Sequence, residues 1–333
     1  MTEIVPTIAT RIRERAQSDP GGVALREKSL GIWQETTWSR YGDLLERAAH
    51  GLRALGVRPG DRVAIQSDNR PEWLVADAGA VAARAVTVGL DPAAESEDLL
   101  RNSGARVLIA EDQEQVDKAL AGKAGLPELE WIVYVEPRGV RDYAEASLVW
   151  WPDLLARGEE HRAECPGLLD ELAGEVTGDD PVTLAVSARE VNAALAKLAD
   201  SGELHPDPRP SDFVLCHLPL AQIVERLNSA WLNAYAGVQV HFGEPAADLA
   251  QTLSEVEPSL FLGTPPVWER LRASVGTPRN RLQARAVRRR LGMRKCRSAL
   301  SVAGPVAPEL LDWYLGLGIP VRRLGTELVG EAR

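Results

Sequence analysis

Short runs of valine, isoleucine and other apolar residues alternate along this chain with longer segments of helical period. Strand-like runs include Arg62–Gln66, Arg106–Ala110 and Val238–Phe242. An amphipathic segment such as Thr37–Gly56, which ends at a glycine, has the period of a helix. This alternation predicts an α/β protein, because each sheet must cover its apolar faces with helices. A chain of 333 residues is long enough to form two domain-sized lobes.

The expected domain boundaries follow the loss of this pattern in the middle of the chain. Residues 1–145 are predicted to form one α/β subdomain and residues 179–333 a second one, with 146–178 as a charged connection. The second subdomain is expected to open with a strand at Val182–Val186, whose centre, Leu184, is a core candidate. A change of Leu184 to aspartate should therefore unfold this lobe, since an unpaired buried carboxylate is strongly unfavourable.

Composition and charge exclude several classes of protein. The net charge of −10 opposes a general nucleic-acid binder, because phosphates repel such a surface. No apolar run is long enough to span a bilayer, and the first residues have no secretory signal, so a cytoplasmic location is expected. The three cysteines and five histidines have no metal-ligand spacing, so no metal site is predicted and the thiols are expected to be reduced.

Several stretches together resemble a known family. They are "WSRYGDLLERAAHGLRALGVRPGDRVAIQSDNRPEWLVADAGAVAARAV", "LPLAQIVERLNSAWLNAYAGVQVHFGE", "SLFLGTPPVWERL" and "LSVAGPVAPELLDWYLGLGIPV". They look like acyl-CoA ligases of the adenylate-forming (AMP-binding) superfamily, in the long-chain fatty-acid branch. The resemblance runs from about Thr7 to Glu327. It implies two α/β subdomains in αβαβα layers, as in the large N-terminal domain of these ligases. It also implies ATP-dependent formation of an acyl-adenylate, with magnesium and coenzyme A as cofactors.

The first departure from the family lies at its phosphate-binding loop. Members carry a loop of the form (Y/T)-S-G-T-T-G-x-P-K-G, in which backbone N–H groups, hydroxyls and a lysine hold the phosphates of ATP. Here "PVTL" runs directly into "AVSAREVNA", and the glycines and the lysine are absent. Ser187 and Glu190 have the spacing of a capping box that opens the next helix.

The second departure lies near the end of the sequence. The family motif Tyr-Gly-Leu-Thr-Glu-Thr stacks on adenine and helps to hold magnesium. The corresponding "RRLGTELVG" keeps Thr326 and Glu327 but has Arg323 in place of the aromatic residue. Thr326 and Glu327 are interpreted as relics of the nucleotide site. Because the sequence stops at Arg333, the C-terminal domain with its catalytic lysine is expected to be missing.

Three further residues are candidates for binding a ligand: Gln222, Trp231 and Gly263. Gln222 stands where the fatty-acid branch commonly has histidine. Trp231 could line an acyl pocket, although an ordinary core tryptophan is the alternative. Val302 stands where the family usually has glycine, and its branched side chain would crowd an approaching nucleotide.

The sequence therefore favours a pseudoenzyme that uses no ATP, magnesium or coenzyme A and has no catalytic residue of its own. It would bind an acyl ligand or a protein partner, either as a homo-oligomer or with a full-length acyl-CoA ligase or another acyl-handling protein. The alternatives are ligase activity completed by a partner chain and a decayed product without function. The basic run Arg279–Arg297 is either a solvated face or a docking surface for an acidic partner or for coenzyme phosphates.

Overall fold

The computed structural model describes residues 4–94, 96–183, 186–200, 205, 207–244 and 248–324. Two compact units divide the chain. Unit 1 comprises Met1–Gly22, Thr36–Asn192 and Pro219–Gln222. Unit 2 comprises Val23–Glu35, Ala193–Leu218 and Ile223–Arg333. Each unit contains a seven-stranded sheet covered by helices, which confirms the prediction of two α/β subdomains.

The sheet of unit 1 consists of seven strands. They are β3 (Arg62–Gln66), β4 (Val86–Leu90), β5 (Ala105–Ala110), β6 (Trp131–Tyr134), β7 (Leu148–Trp150), β8 (Pro181–Thr183) and β9 (Val186–Ser187). Their order is β7-β6-β5-β3-β4-β8-β9. Neighbours are parallel from β7 to β8, and only β8 and β9 pair in the antiparallel sense. The central strands are buried apolar runs, as expected of strands covered on both faces.

Helices α1 to α8 begin in unit 1. They are α1 (Ile8–Ser18), α2 (Trp38–Ala54), α3 (Pro71–Ala82), α4 (Ser96–Ser103), α5 (Gln113–Gly122), α6 (Trp151–Glu164), α7 (Leu168–Ala173) and α8 (Ala188–Asp200). Side chains of Thr7, Thr37 and Asp112 cap the backbone N–H groups of α1, α2 and α5. Pro71 occupies the first turn of α3, where its missing N–H costs little.

The sheet of unit 2 consists of the remaining seven strands. They are β1 (Val23–Ser29), β2 (Ile32–Thr37), β10 (Phe213–Cys216), β11 (Gln239–Phe242), β12 (Leu260–Gly263), β13 (Ser298–Ser301) and β14 (Val321–Arg323). Their order is β14-β13-β12-β10-β11-β1-β2. The pairs from β14 to β1 are parallel. The early strands β1 and β2 thus extend a sheet that is otherwise built from the second half of the sequence.

The helical segments of unit 2 flank this sheet. They are α9 (Ile223–Arg226), a π-helical turn (Leu227–Trp231), α10 (Leu232–Ala236), α11 (Leu249–Val256), α12 (Pro265–Ala273), α13 (Arg281–Arg290) and α14 (Pro308–Gly316). Trp268 and Tyr314 are fully buried with their rings 4.9 Å apart, and the Tyr314 hydroxyl donates to the Trp268 carbonyl. This aromatic pair anchors α12 and α14 in the core. No helix among the described residues is long and apolar enough to cross a membrane.

The segment predicted as a connection, 146–178, is instead folded into unit 1. It forms β7, α6 and α7, and α6 lies directly on α2. Gly51 and Gly158 allow this close approach, since a Cβ on Gly158 would fall 1.8 Å from the Arg47 carbonyl oxygen. The helical period of α6 is obscured by its charged outer face. The boundaries of the units also differ from those predicted, because β1 joins the second sheet and unit 1 continues to Asn192.

The single strand predicted at Val182–Val186 is a hairpin. Strands β8 and β9 pair with Thr183 opposite Val186, so that positions 184 and 185 alone separate the paired residues. Because the run is mostly apolar, its composition gives no sign that two antiparallel strands divide it. Leu184, on which the predicted destabilising change falls, lies outside the described residues.

Candidate functional site

In an open parallel sheet, ligands bind at the carboxyl ends of the strands, where the strand order reverses. In unit 2 this reversal falls between β10 and β12, because β11 lies on one side of β10 while β12 and β13 lie on the other. The residues at this edge are Cys216 and His217 on one strand and Gly263 and Thr264 on the other. This edge of unit 2 is called the switch-point edge below.

Aromatic residues occupy the immediate surroundings of Gly263. The Trp268 indole N–H donates to the Gly263 carbonyl at 3.2 Å. A Cβ on Gly263 would lie 3.1 Å from the Trp268 Nε1, so a larger residue would displace the indole. His217 stacks on Phe261 at 5.1 Å, and its Nε2 donates to the Leu262 carbonyl at 2.6 Å. Burial lowers the pKa of His217, which keeps its ring neutral.

A buried carboxyl group lies beside the same edge. Glu225, at the end of α9, is fully buried and accepts a hydrogen bond from the Ser229 hydroxyl. Burial raises the pKa of Glu225 to about 8, so the carboxyl is mostly protonated at neutral pH. Burial and the neighbouring Glu225 raise the pKa of the Cys216 thiol well above its ordinary value. Neither side chain is therefore charged at neutral pH, and the pair is poorly suited to binding a cation.

A second polar group adjoins the π-helical turn. His205 is buried, and its Nε2 donates to Asn228 Oδ1 at 3.0 Å while its Nδ1 accepts from the Ser298 hydroxyl at 2.9 Å. Burial lowers the pKa of His205 to about 4, which matches a neutral ring in this arrangement. π-Helical turns are frequent at functional sites, and this one places Asn228 and Ser229 side by side.

The carboxyl end of β13 is closed by apolar and strained residues. Val302 is buried, and its N–H donates to the Gly263 carbonyl at 3.0 Å. Ala303 has a φ of +59°, in the left-handed region that ordinary side chains rarely adopt. Such strain persists only where the surrounding structure holds it, and it is common next to ligand sites.

The corresponding crevice of unit 1, between β3 and β5, is filled by ion pairs. Glu111 accepts from the Asp68 backbone N–H at 2.6 Å and lies 3.5 Å from the Arg70 guanidinium. Arg70 also pairs with Glu72 and Glu136. These charges satisfy one another, so Arg70 is not available as a free cation for an anionic ligand.

The start of α8 is the place where a phosphate-binding loop was expected to be missing. The Ser187 N–H and hydroxyl both donate to Glu190 Oε2 at 2.8 Å, and the Glu190 N–H returns a bond to the Ser187 oxygen at 3.3 Å. The predicted capping box is therefore present. The hydrogen bonds from Ser187 lower the pKa of Glu190, so its carboxylate is ionised at neutral pH.

The capping box of Ser187 and Glu190 does not fit the phosphates of a nucleoside triphosphate. The donors that would hold phosphate at this helix start already bind a carboxylate, and its negative charge would repel a phosphate group. The hairpin before it has room for only two residues between its paired positions. No group of three or more histidine, cysteine, aspartate or glutamate side chains within the described ranges could hold a metal ion.

The residues predicted to bind a ligand do not all lie in the same unit. Trp231 is buried in the π-helical turn of unit 2, with the Arg226 guanidinium 5.4 Å from its ring. Gly263 lies at the switch-point edge. Gln222 is exposed and belongs to unit 1. Thr326 and Glu327 lie outside the described residues.

The sequence interpretation missed four polar residues at or beside the switch-point edge. They are the buried Cys216, Glu225 and Ser229 and the half-buried His217. One signal for them was present. Glu225 and Ser229 are spaced by four residues in the helical segment that follows β10, which places two polar groups on one helix face. A polar pair on a buried face is uncommon unless its members bond to each other.

Comparisons with known proteins agree with this architecture. The model of the family "AMP-binding enzyme" matches residues 12–326. A long-chain-fatty-acid–CoA ligase of Xenopus laevis is 24% identical over 91% of this chain and 48% of its own length. One of Homo sapiens is 26% identical over 89% of this chain and 48% of its own. The chain thus spans about half the length of these relatives.

Solved structures share the fold at low sequence identity. The N-terminal domain of FACL13 from Mycobacterium tuberculosis, solved with an inhibitor, has a TM-score of 0.70 and 21% identity, over 96% of this chain and 75% of its own. The A-PCP didomain of carboxylic acid reductase from Segniliparus rugosus, in complex with AMP, has a TM-score of 0.76 and 15% identity, over 96% and 52%. The family model, which matches nearly the whole length of the sequence, shows that the chain belongs to the AMP-binding enzyme family.

Proposed function

We propose that this chain is a member of the family that does not adenylate and acts by binding, in acyl metabolism. The observation that carries the proposal is the start of α8. A two-residue connection stands between β8 and β9, and the Glu190 carboxylate takes the Ser187 donors. Transfer of an adenylyl group requires fixed donors for the charge that builds on the phosphates.

The expected loss of activity is large. Removal of one preorganised donor from a charge-stabilising site typically lowers the rate by about a hundred- to a thousandfold. Here the glycine loop and its lysine are absent together, and an ionised glutamate replaces them. The switch-point edge adds no compensating charge, because Glu225 and His217 are both neutral at pH 7.

The binding role follows from what the switch-point edge retains. The Glu225 and His217 side chains are uncharged at neutral pH, and aromatic rings surround Gly263. Such a lining suits an apolar acyl ligand better than a phosphate. Trp231 and Gly263 remain the proposed acyl-contacting residues. The proposed partner is a second copy of this chain, a full-length acyl-CoA ligase or another acyl-handling protein, in the cytoplasm.

The test is carboxylate-dependent exchange of labelled pyrophosphate into ATP. The purified chain should show no exchange above a blank without protein, across short and long fatty acids. A full-length long-chain ligase provides the positive control. The same ligase with its phosphate-binding loop replaced by the two residues Leu-Ala is the matched negative control. Exchange by the purified chain above the blank would refute the proposal.

The competing hypothesis, activity completed by a partner chain, has its own measurement. Proteins that copurify from the native host are identified, and the exchange assay is repeated with the complex. Exchange that appears only in the complex, and is lost when the partner's loop lysine is changed to alanine, would show that the partner carries out the reaction. Exchange that survives this change would assign activity to the present chain.

A further inference from the structure

Helix α13 carries an unusual concentration of positive charge. Five of its ten residues are arginines and none is acidic. Residues 265–300 contain eleven arginines and lysines and a single glutamate, whereas the whole chain has 38 basic and 48 acidic residues. At physiological salt the Debye length is about 8 Å, so distant carboxylates do not cancel a local patch of this kind. A strongly basic surface thus exists on an acidic protein.

The helix is held firmly against unit 2 by one of its arginines. Arg288 donates to the carbonyls of Met293 and Gly318 at 2.9 Å and to that of Cys296 at 2.6 Å. Val287 and Ala284 pack against the core cluster that contains Trp268. Asn280 caps the first turn, where its side chain accepts from the Gln283 N–H at 2.9 Å. The role of Arg288 is therefore structural, and the remaining arginines are presented by a fixed helix.

The outer face of α13 combines charge with exposed apolar side chains. Arg281, Arg285 and Arg289 are exposed and spaced by four residues, which aligns them along one side of the helix. Leu282 in the same helix is 76% exposed, and Leu315 in α14 is 63% exposed. The Arg288 bond to the Gly318 carbonyl links the two helices on this side of unit 2.

Some of the basic side chains in this region pair with a carboxylate and others do not. Arg294 pairs with Glu257 at 2.7 Å, and Lys295 lies 3.9 Å from the same carboxylate. Across the described part of the chain, Arg281, Arg285 and Arg290 have no carboxylate within salt-bridge distance. Unneutralised guanidinium groups on a rigid element retain their full capacity to bind anions.

We propose that the outer face of α13, formed by Arg281, Leu282, Arg285, Arg289 and Arg290, docks on an anionic lipid surface. A guanidinium binds phosphate oxygens in pairs, which suits phospholipid headgroups. Leu282 would enter the boundary between headgroups and acyl chains, as apolar residues of interfacial helices do. A fluid headgroup layer can bind an exposed helix face of this kind without a preformed complementary shape. The proposal is independent of whether the chain adenylates.

The experiment is cosedimentation of the full chain with phosphatidylcholine vesicles, with and without phosphatidylglycerol. The test variant is Arg281→Gln with Arg285→Gln and Arg289→Gln, which leaves Arg288 in place. The control variant is Arg40→Gln with Arg189→Gln and Arg209→Gln, three exposed arginines elsewhere that pair with aspartates. Both variants change the net charge equally. Circular dichroism melting confirms that each is folded.

The wild type should bind the anionic vesicles and be released by high salt, while pure phosphatidylcholine should bind weakly. Each basic residue near an anionic membrane raises the membrane partition coefficient about fivefold. The partition coefficient of the test variant, which lacks three of them, should therefore be about a hundredfold lower. The control variant should bind as the wild type does. Leu282→Ser alone should cause a smaller loss that salt does not abolish.

Three outcomes would overturn the proposal. The wild type could fail to bind anionic vesicles, the two triple variants could lose binding equally, or the test variant could bind as well as the wild type. If the wild type does not bind vesicles, and a protein that copurifies with the wild type and the control variant is lost from the test variant, then the face binds a protein instead. None of these results depends on the pyrophosphate exchange assay.

Discussion

Glu190 and Glu225 show how the two units treat the same side chain in opposite ways. Each lies close to the carboxyl end of a strand and bonds to a serine. Glu190 is exposed and its pKa is lowered by the Ser187 donors, whereas Glu225 is fully buried and burial raises its pKa to about 8. Both carboxyls have hydrogen-bond donors that favour the ionised form, so burial decides the charge, because desolvation outweighs the donors only at Glu225. One helix start therefore carries a negative charge in place of a phosphate, and the other remains neutral.

The largest expected effect concerns the aromatic core of unit 2, whose sheet also lies next to the buried Glu225 through Cys216. Trp268→Ala should lower the free energy of unfolding of unit 2 by about 3–5 kcal/mol, because it leaves a cavity beside Tyr314 and Phe261. Tyr314→Phe, which removes only the hydroxyl bond to the Trp268 carbonyl, should cost about 1 kcal/mol. Urea denaturation measures both. Equal costs for the two variants would mean that the indole is not part of the core.

The second prediction concerns the pH dependence caused by Glu225. Its folded pKa is raised from 4.5 to about 8, so its contribution to stability is complete below pH 4.5 and is lost as the pH rises through 8. Glu225→Gln keeps the acceptor for Ser229 and removes the titration. The variant should therefore gain stability over the wild type as the pH rises, on the order of 4 kcal/mol by pH 8. If the wild type and Glu225→Gln gave parallel curves of unfolding free energy against pH, the raised pKa would not belong to Glu225.

A histidine pair in unit 1 should give the opposite slope. His50 is buried, with its Nδ1 2.9 Å from the Nδ1 of His161. Burial first, and His161 second, lower the pKa of His50 from 6.5 to about 4. Its contribution to stability is complete above pH 6.5 and is lost as the pH falls through 4.

Between pH 7 and pH 4, the free energy of unfolding should therefore fall by about 2 kcal/mol less in His50→Gln than in the wild type. Glu46, Arg13 and Arg162 also face the ring, and the variant keeps them. An unchanged acid slope in the variant would show that other groups, such as the buried His205, dominate.

The smallest expected effect is at the exposed helix start. Ser187→Ala should destabilise α8 by about 1 kcal/mol, the usual cost of a lost helix cap. Hydrogen exchange in the first turn of α8 is the measurement, since the effect is local. Glu190→Gln should cost less and should remove the weakening of the cap at acidic pH. Faster exchange that spreads to Trp268 would show that the effect is not local.

The sequence alone determined the architecture and the missing loop. Periodicity located strands such as β3 and β5, because a buried parallel strand is a continuous apolar run. The capping box of Ser187 and Glu190 was also readable, since it depends only on neighbours in the chain. The division of the run Val182–Val186 into β8 and β9 was not, because the run is mostly apolar and has no glycine, proline, asparagine or aspartate to mark a break.

Only the tertiary structure decided the assignment of β1 to the second sheet, the docking of α6 and the environment of Glu225. These depend on partners far away in sequence, such as Leu25 opposite Val240 and Gly158 against the Arg47 carbonyl. A glutamate in a sequence looks the same whether water reaches it or not. Burial among residues such as Cys216 and Ser229 makes Glu225 neutral, and burial is a property of the assembled fold.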